Sequence, residues 1–543
     1  MANGIFTPPS PNNEPIKNYA PGSPEKKLLK QAIIDLCSKS FDIPLIIGGR
    51  EIHTGNTAKL LSPSDHTRCF GQYHKATTEH VNMAAEAAKK AKEEWSNLAW
   101  HERGGIFLKA AELLSEKWRY TLNAATMLGQ GKTAYQAEID SACELIDFLN
   151  YNVNYMNEIY NEQPKSSRGM WNRLEYMPLE GFVFAVTPFN FTAIAGNLPT
   201  APAMMGNTIL WKPASSAVLS AYLIMKLLEE AGLPEGVINF VPGSGGQVGQ
   251  PAFEHTALAG IHFTGSTRVF HSIWKTIGSN IEKYKSYPRI VGETGGKDFL
   301  IAHNDCDIDA LAVACVRGAF EYQGQKCSAL SRAYFPKSIW DSTWKKIKTI
   351  LDDVKMGDVA DFSNFVSAVI DKSSYDNIKS YIDYAEKSPD AKIISGGKCD
   401  DTMGNFIEPT VILTTDPHFK SMEEEIFGPV LTCYVYNDED LDKTLELVDI
   451  TSIYALTGAI FAKNRYIVDK MAKALKQSAG NFYVNDKPTG AVVGQQPFGG
   501  ARGSGTNDKA GSKMNLLRWV SMRTIKETFA PPVDYRYPHM NEK

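Results

Sequence analysis

The spacing of apolar positions changes period along the chain. TEHVNMAAEAAKKAKEEW (78–95) is rich in helix formers, and GGIFLKAAELLSEKW (104–118) carries an apolar stripe at helical spacing. Both predict helices, and AEIDSACELIDFLNYNVNYM (137–156) predicts a third. The pattern then switches. Residues 173–180 alternate polar and apolar and lead into GFVFAV (181–186), a buried strand. NTILWKP (207–213) predicts a strand, SAYLIMKLLEEAG (220–232) a helix ending at a glycine, and GVINFVP (236–242) and AGIHFTGS (259–266) further strands. RIVGETGGKDFLIAH (289–303) places a glycine-rich kink between two apolar runs. The rhythm restarts with IDALAVACVRGAF (308–320), a helix. YAEKSPDAKIISGG (384–397), EPTVILTT (408–415), GPVLTCYVYN (428–437) and LTGAIFAK (456–463) form another α/β unit. Strands alternating with helices predict parallel sheets in an α/β fold. We read two α/β domains, 1–156 with 181–306 and then 307–486. Extra β segments fall at 157–180 and 487–543, and an extended Pro-rich arm runs to about Ser23.

Residues 181–211 contain no charged residue or histidine and are long enough to cross a bilayer. Asn190, Asn197 and Asn207, with Pro188, Pro199 and Pro202, interrupt the run. Buried strands and tight turns are the better reading, because strands covered on both faces look continuously apolar. The first basic residue is Lys17 and no apolar leader follows the start, so no secretory or transit segment is expected. The expected location is cytoplasmic, with the mitochondrial matrix as the alternative.

Composition narrows the function classes. The chain has 543 residues, 43% of them hydrophobic and 22% charged, as in ordinary folded proteins. A net charge of −4 leaves no electrostatic footprint for nucleic acid or an anionic membrane. The eight cysteines show no CxxC spacing, so no metal site is expected.

The candidate chemistry lies at strand ends. GQGKT (129–133) resembles the end of a phosphate loop, but Thr126 stands where the first glycine belongs. PGSGGQVG (242–249) is a loose glycine-rich turn, with Val248 where a dinucleotide fingerprint needs glycine. FTGS (263–266) can present N–H groups to a phosphate. Cys327 follows a turn-like Gln323-Gly324-Gln325, and the adjacent Lys326 is expected to lower its thiol pKa. Glu293, at a glycine-flanked kink, is a candidate general base, and Asn190 in VTPFNF (186–191) a candidate oxyanion donor.

Taken singly, each has a bland reading: an inert buried thiol, a solvated carboxylate, a capping amide. In the order Asn190, Glu293, Cys327 they supply oxyanion donor, base and nucleophile. With VTPFNF, WKPAS (211–215), FTGS, GETGGK (292–297), GQKCS (324–328), EEIFGPV (424–430) and QPFGG (496–500), the chain resembles the aldehyde dehydrogenases over nearly its whole length. Within that family, the stretches around GQGKT, PFNFTAIAGNL (188–198) and NDKPTGAVVGQQPFGG (485–500) resemble members that act on the semialdehyde of an amino acid.

The resemblance implies two α/β domains with parallel sheets and a small β oligomerisation flap. The unit 1–156 with 181–306 would bind NAD, 307–486 would carry the nucleophile, and 157–180 with 487–543 would pair across subunits of a homodimer or a dimer-based oligomer. It implies catalysis by Cys327, Glu293 and Asn190. It implies NAD contacts from Thr187, Lys212, Ser215, Gly265, Ser266, Glu425 and Phe427. It implies substrate contacts from Phe191, Ser328, Gly490, Ala491 and Phe498. Two departures stand out on the cofactor side. Many relatives carry Glu where this chain has Ser215, so NADP is not excluded. Many carry Gly where this chain has Phe270, so the phosphate turn must be shaped differently. Some members carry Ser at Ala491, where only a backbone donor survives here.

Overall fold

The protein is described from a computed structural model covering residues 4–541; the first three residues of the expected arm and the last two of the C-terminal segment lie outside the described residues. Two seven-stranded sheets organise the fold. The first runs in the order Arg289–Glu293, Leu258–Thr264, Phe182–Val186, Thr208–Lys212, Ile238–Phe240, Leu45–Ile47, Arg50–Ile52. Its first five strands are parallel and the last two join antiparallel. The second runs Ala391–Ser395, Thr410–Thr414, Val430–Tyr436, Leu330–Pro336, Asp298–Ala302, Thr457–Phe461, Asn481–Val484, parallel except for its first strand. Central strands such as Leu258–Thr264 and Thr457–Phe461 are buried at every position, which explains their continuous apolar runs.

The charge-free run 181–211 is a strand, a helix (Thr192–Met204) and a second strand. The helix was not anticipated, because Pro199 and Pro202 lie inside it. Among the described residues no helix is long and apolar enough to cross a membrane. The helix expected at 104–118 is Trp100–Leu113 continued by a π-helical turn, Leu114–Trp118. The one expected at 137–156 is broken by a second π-helical turn, Glu138–Glu144, and continues as Leu145–Asn161.

One expectation is corrected. The chain changes sheets at residues 294–297, so Asp298–Ala302 belongs to the second sheet and not to the 181–306 unit. The crossing needs glycine: a Cβ on Gly295 would lie 2.2 Å from the Glu425 carboxylate, and one on Gly296 would lie 2.2 Å from the Cys327 carbonyl oxygen. The flap strands Met170–Pro178 and Val520–Thr528 pair antiparallel with each other within the chain. Residues 157–161 belong to the preceding helix.

Candidate functional site

Parallel sheets bind ligands at the carboxyl ends of their strands. Here the strands ending at Val186, Lys212, Thr264 and Glu293 deliver Thr187, Lys212, Gly265, Ser266, Thr294 and Gly295 to one cleft of about 500 Å³. The far wall comes from the second sheet's side and carries Cys327, Glu425 and Phe427. Asn190 lines it as well.

Cys327 follows a tight approach in which Tyr322, Gln323 and Gly324 have φ of +54°, +55° and +64°. A Cβ on Gly324 would meet the Gly428 carbonyl oxygen at 2.1 Å, so this turn is pressed against the Glu425–Phe427 segment. The thiol is buried. Burial, then the Asp298, Glu293 and Glu425 carboxylates, push its pKa up. The expectation that Lys326 lowers it is overturned. The Lys326 ammonium forms a buried pair with Glu321 at 3.0 Å, and its charge is spent there.

Asn190 is also buried, and its side-chain amide donates to the Gln325 carbonyl at 3.1 Å. Glu293 accepts from the Gly500 N–H at 3.0 Å. Burial raises its carboxyl well above the usual range, while the Gly500 N–H and Lys509 oppose the shift. Its carboxylate faces the 499–505 backbone and is not part of the cleft wall.

Six of the seven expected cofactor residues line the cleft: Thr187, Lys212, Gly265, Ser266, Glu425 and Phe427. Ser215 does not; it is exposed, and its neighbour Ala214 lines the wall instead. The Lys212 ammonium donates to the Pro213 carbonyl at 3.1 Å, and burial pushes its pKa down to about 8. Glu425 accepts from the Gly296 N–H at 2.9 Å, and burial pushes it up to about 7. Phe427 sits at φ +59° with its ring edge-on to Phe189 at 5.8 Å. Ser266 caps the helix Thr267–Ser279. Phe270 stacks on Phe263 at 5.4 Å, over the place where a Gly292 Cβ would lie 2.2 Å from its ring. Phe270 lies inside that helix, so the departure from glycine adds a packed ring pair behind the turn. The glycine-rich turn at 242–249, a weak signal in sequence, places Gly245 and Gly249 on the cleft. Apolar wall residues such as Phe253, Val269 and Ile273 carry no motif and were not foreseen.

None of Phe191, Ser328, Gly490, Ala491 and Phe498 lines this cleft. Their contacts run through other segments. The Ser328 and Thr489 hydroxyls are 2.7 Å apart, which ties the 489–491 loop to the residue after Cys327. Gly490 has φ +94°, a conformation that favours glycine. Phe498 exchanges backbone hydrogen bonds with Ala510, and the Phe191 ring lies 4.0 Å from the Lys132 ammonium.

Outside the cleft, Asp42, His53 and His74 bring potential metal-ligating atoms within 3.1–3.2 Å of one another. The Gly55 N–H donates to His74 Nδ1 at 3.0 Å. That leaves the ring proton on Nε2, which suits a hydrogen bond to Asp42 and not a metal.

Comparison with known proteins agrees with this geometry. The pattern of the Aldehyde dehydrogenase family matches residues 51–525. The chain is 56% identical over 535 residues to "Delta-1-pyrroline-5-carboxylate dehydrogenase, mitochondrial" of Dictyostelium discoideum, covering 98% of this chain and 96% of that one. It is 52% identical over 536 residues to the Agaricus bisporus "Delta-1-pyrroline-5-carboxylate dehydrogenase", covering 98% of each. A crystal structure of the Delta-pyrroline-5-carboxylate dehydrogenase from Mycobacterium tuberculosis bound with NAD superposes with a TM-score of 0.97 at 50% identity, covering all of both chains. With the motifs, the two-sheet fold and the cleft now in place, this chain belongs to the aldehyde dehydrogenase family.

Proposed function

We infer that this chain oxidises L-glutamate γ-semialdehyde, the open form of Δ1-pyrroline-5-carboxylate, to L-glutamate with reduction of NAD, a step of proline degradation. The observation that carries the reading is one buried thiol, Cys327, on the wall of the strand-end cleft, with the next residue, Ser328, bonded to Thr489. One side suits a dinucleotide and the other a short substrate.

The cleft fits the cofactor. It is mostly apolar with a few convergent polar groups, as such sites require. Glu425, half-buried with a single N–H partner, and Lys212, buried with only a carbonyl, are polar groups placed to gain from ribose hydroxyls. Gly265 and Ser266 sit at a helix N-terminus suited to a pyrophosphate. NAD, when bound, supplies the hydride acceptor.

Cys327 attacks the aldehyde carbon as the thiolate. Asn190 and the Cys327 N–H hold the resulting oxyanion. Loss of hydride from the hemithioacetal leaves a thioester on Cys327. Glu293 takes a proton from water, which hydrolyses the thioester to the carboxylate product. Burial raises its carboxyl while Gly500 and Lys509 favour the ionised form, which suits a general base. Ser328 and the backbone N–H groups of Gly490 and Ala491 anchor the α-carboxylate, and Phe191 and Phe498 flank the methylene chain. The antiparallel ribbon of Met170–Pro178 and Val520–Thr528 offers unpaired outer edges for a homodimer contact. The relatives named mitochondrial support the matrix alternative over the cytoplasm.

The test is a steady-state assay with NAD or NADP and pyrroline-5-carboxylate, succinic semialdehyde or propanal, with Cys327→Ala as control. The expected result is a kcat/KM for pyrroline-5-carboxylate with NAD at least about tenfold above the others, the difference one good anchoring contact supplies. A preference for propanal would overturn the anchor, and no oxidation of any aldehyde would overturn the activity.

A further inference from the structure

GQGKT at 129–133 resembles a phosphate loop, and the cofactor cleft makes no use of it. It lies at the end of the helix Arg119–Gln130, where Gly131 closes the helix at φ +74°. A Cβ there would lie 2.8 Å from the Ala368 carbonyl oxygen, so the segment is held close to its neighbours. It grips both halves of the catalytic machinery.

The grip on the Asn190 turn has two parts. The Gln130 side-chain amide donates to the Phe189 carbonyl at 2.5 Å, and its oxygen accepts from the Thr192 hydroxyl at 3.2 Å. Thr192 also bonds Thr126 at 2.8 Å. Residues 189 and 192 bracket Asn190. The second part is Asp140, which the π-helical turn Glu138–Glu144 points at the same place. Its two carboxylate oxygens accept from the Thr192 and Ala193 N–H groups at 3.0 and 2.9 Å. Asp140 therefore caps the helix Thr192–Met204 from a distance, in place of its N-cap residue Phe191, which offers no capping side chain. Lys132 neutralises Asp140 at 2.7 Å, both side chains fully buried.

The grip on the nucleophile loop comes from the same few residues. Gln323 donates to the Gly131 carbonyl at 2.9 Å, and Tyr322 lies under the Lys132 ammonium at 4.6 Å. The Phe191 ring lies 4.0 Å from the same ammonium. One buried cation thus touches a ring next to Asn190 and a ring on the approach to Cys327.

We propose that Gln130, Lys132 and Asp140 are positioning residues that hold the Asn190 amide in register with Cys327. The proposal rests on the reading of Asn190 as the oxyanion donor. These residues touch no reacting atom; they act through the 189–193 turn. Side chains that set a donor's position to a fraction of an ångström govern rate, because a misplacement of about 1 Å costs roughly 100-fold.

The experiment is a double-mutant cycle. Gln130→Met keeps the side chain's length and removes both hydrogen bonds. It is measured in the wild-type and in the Asn190→Ala background, with pyrroline-5-carboxylate and NAD. In the wild type, kcat is expected to fall roughly 10- to 100-fold, with KM for NAD unchanged within about twofold. In the Asn190→Ala background the same substitution is expected to change kcat by less than about twofold, since groups acting as one unit are non-additive. Equal factors in both backgrounds, or full kcat for Gln130→Met, would overturn the proposal. Full kcat for Asn190→Ala alone would instead overturn the oxyanion reading, and this proposal with it. Thr192→Val, near-isosteric and outside the charge pair, enters the same cycle should Gln130→Met fail to fold. The same non-additivity is expected, and additive losses would overturn the proposal.

Discussion

The side-chain amide of Asn190 donates one proton to the Gln325 carbonyl, two residues before the nucleophile Cys327. An amide carries two protons. One is spent fixing the donor to the nucleophile's own loop, and the other remains for the cleft that both residues line. Donor and nucleophile are thus registered by a direct bond, and only the reacting oxygen has to arrive.

Asn190→Ala should lower kcat by about 100- to 1000-fold, the usual cost of one oxyanion donor. Alkylation of Cys327 by iodoacetamide should change by no more than about threefold, because thiol access does not pass through the amide. A variant with near-full kcat would remove Asn190 from the mechanism.

Glu293→Gln should stop turnover after acylation. Rapid mixing should show a burst of NADH close to one per active site, followed by a steady rate reduced by more than about 100-fold. Absence of the burst would place Glu293 before hydride transfer. Stability gives an independent check. The folded-state pKa of Glu293 is raised, so its folded state binds the proton more tightly than the unfolded chain. The contribution is complete below the usual carboxylate pKa and is lost as pH rises toward the raised value. Glu293→Gln should therefore melt above the wild type at pH 8, and the difference should shrink as pH falls toward 4.

Lys212→Met should separate cofactor binding from folding. Lys212 is buried with a single carbonyl partner, and its folded pKa of about 8 lies below that of a free lysine. A depressed lysine is a penalty at neutral pH that is relieved as pH rises from about 8 toward the unfolded value. Removing the charge should raise the melting temperature of the cofactor-free protein at pH 7. It should also raise KM for NAD by about tenfold, the worth of one lost hydrogen bond to a charged group. A lower melting temperature with unchanged KM would place Lys212 outside the cofactor site.

The parts of this site that were legible in sequence are those where a residue follows a buried strand. Glu293 and the FTGS turn with Gly265 read that way from the pattern itself, whereas Thr187 and Lys212, also at strand ends, come only from the family resemblance. Side-chain direction after an irregular turn is not legible. Lys326 adjoins Cys327 in sequence, yet the left-handed residues Tyr322 and Gln323 carry the chain around so that it meets Glu321. Ser215 falls outside the cleft for a similar reason, since a short 3₁₀ turn over Ser215–Ala217 presents Ala214 instead. The sheet boundary at 294–297 was hidden because two apolar runs around a kink look alike whether they return to one sheet or enter the next. Only the contacts of Gly295 and Gly296 with Glu425 and Cys327 show why the crossing sits there.

That crossing yields the sharpest contrast between two glycines. A Cβ on Gly296 would lie 2.2 Å from the Cys327 carbonyl oxygen and 2.4 Å from Asp298 Oδ2. The first neighbour is backbone and the second a carboxylate buried in the second sheet, so neither yields cheaply. Gly296→Ala must displace the nucleophile's own peptide, and at about 1 Å of displacement a loss of roughly 100-fold in kcat is expected. The Gly296 N–H that holds Glu425 moves with it, so KM for NAD should rise in the same variant. Gly278, in the helix Thr267–Ser279, has nothing within 4 Å of its would-be Cβ. Gly278→Ala should leave kcat and KM unchanged and stabilise the fold by about 0.5–1 kcal/mol through helix propensity. Calorimetry and steady-state kinetics on the two variants read both outcomes, and a fully active Gly296→Ala would mean that the crossing can move without carrying Cys327.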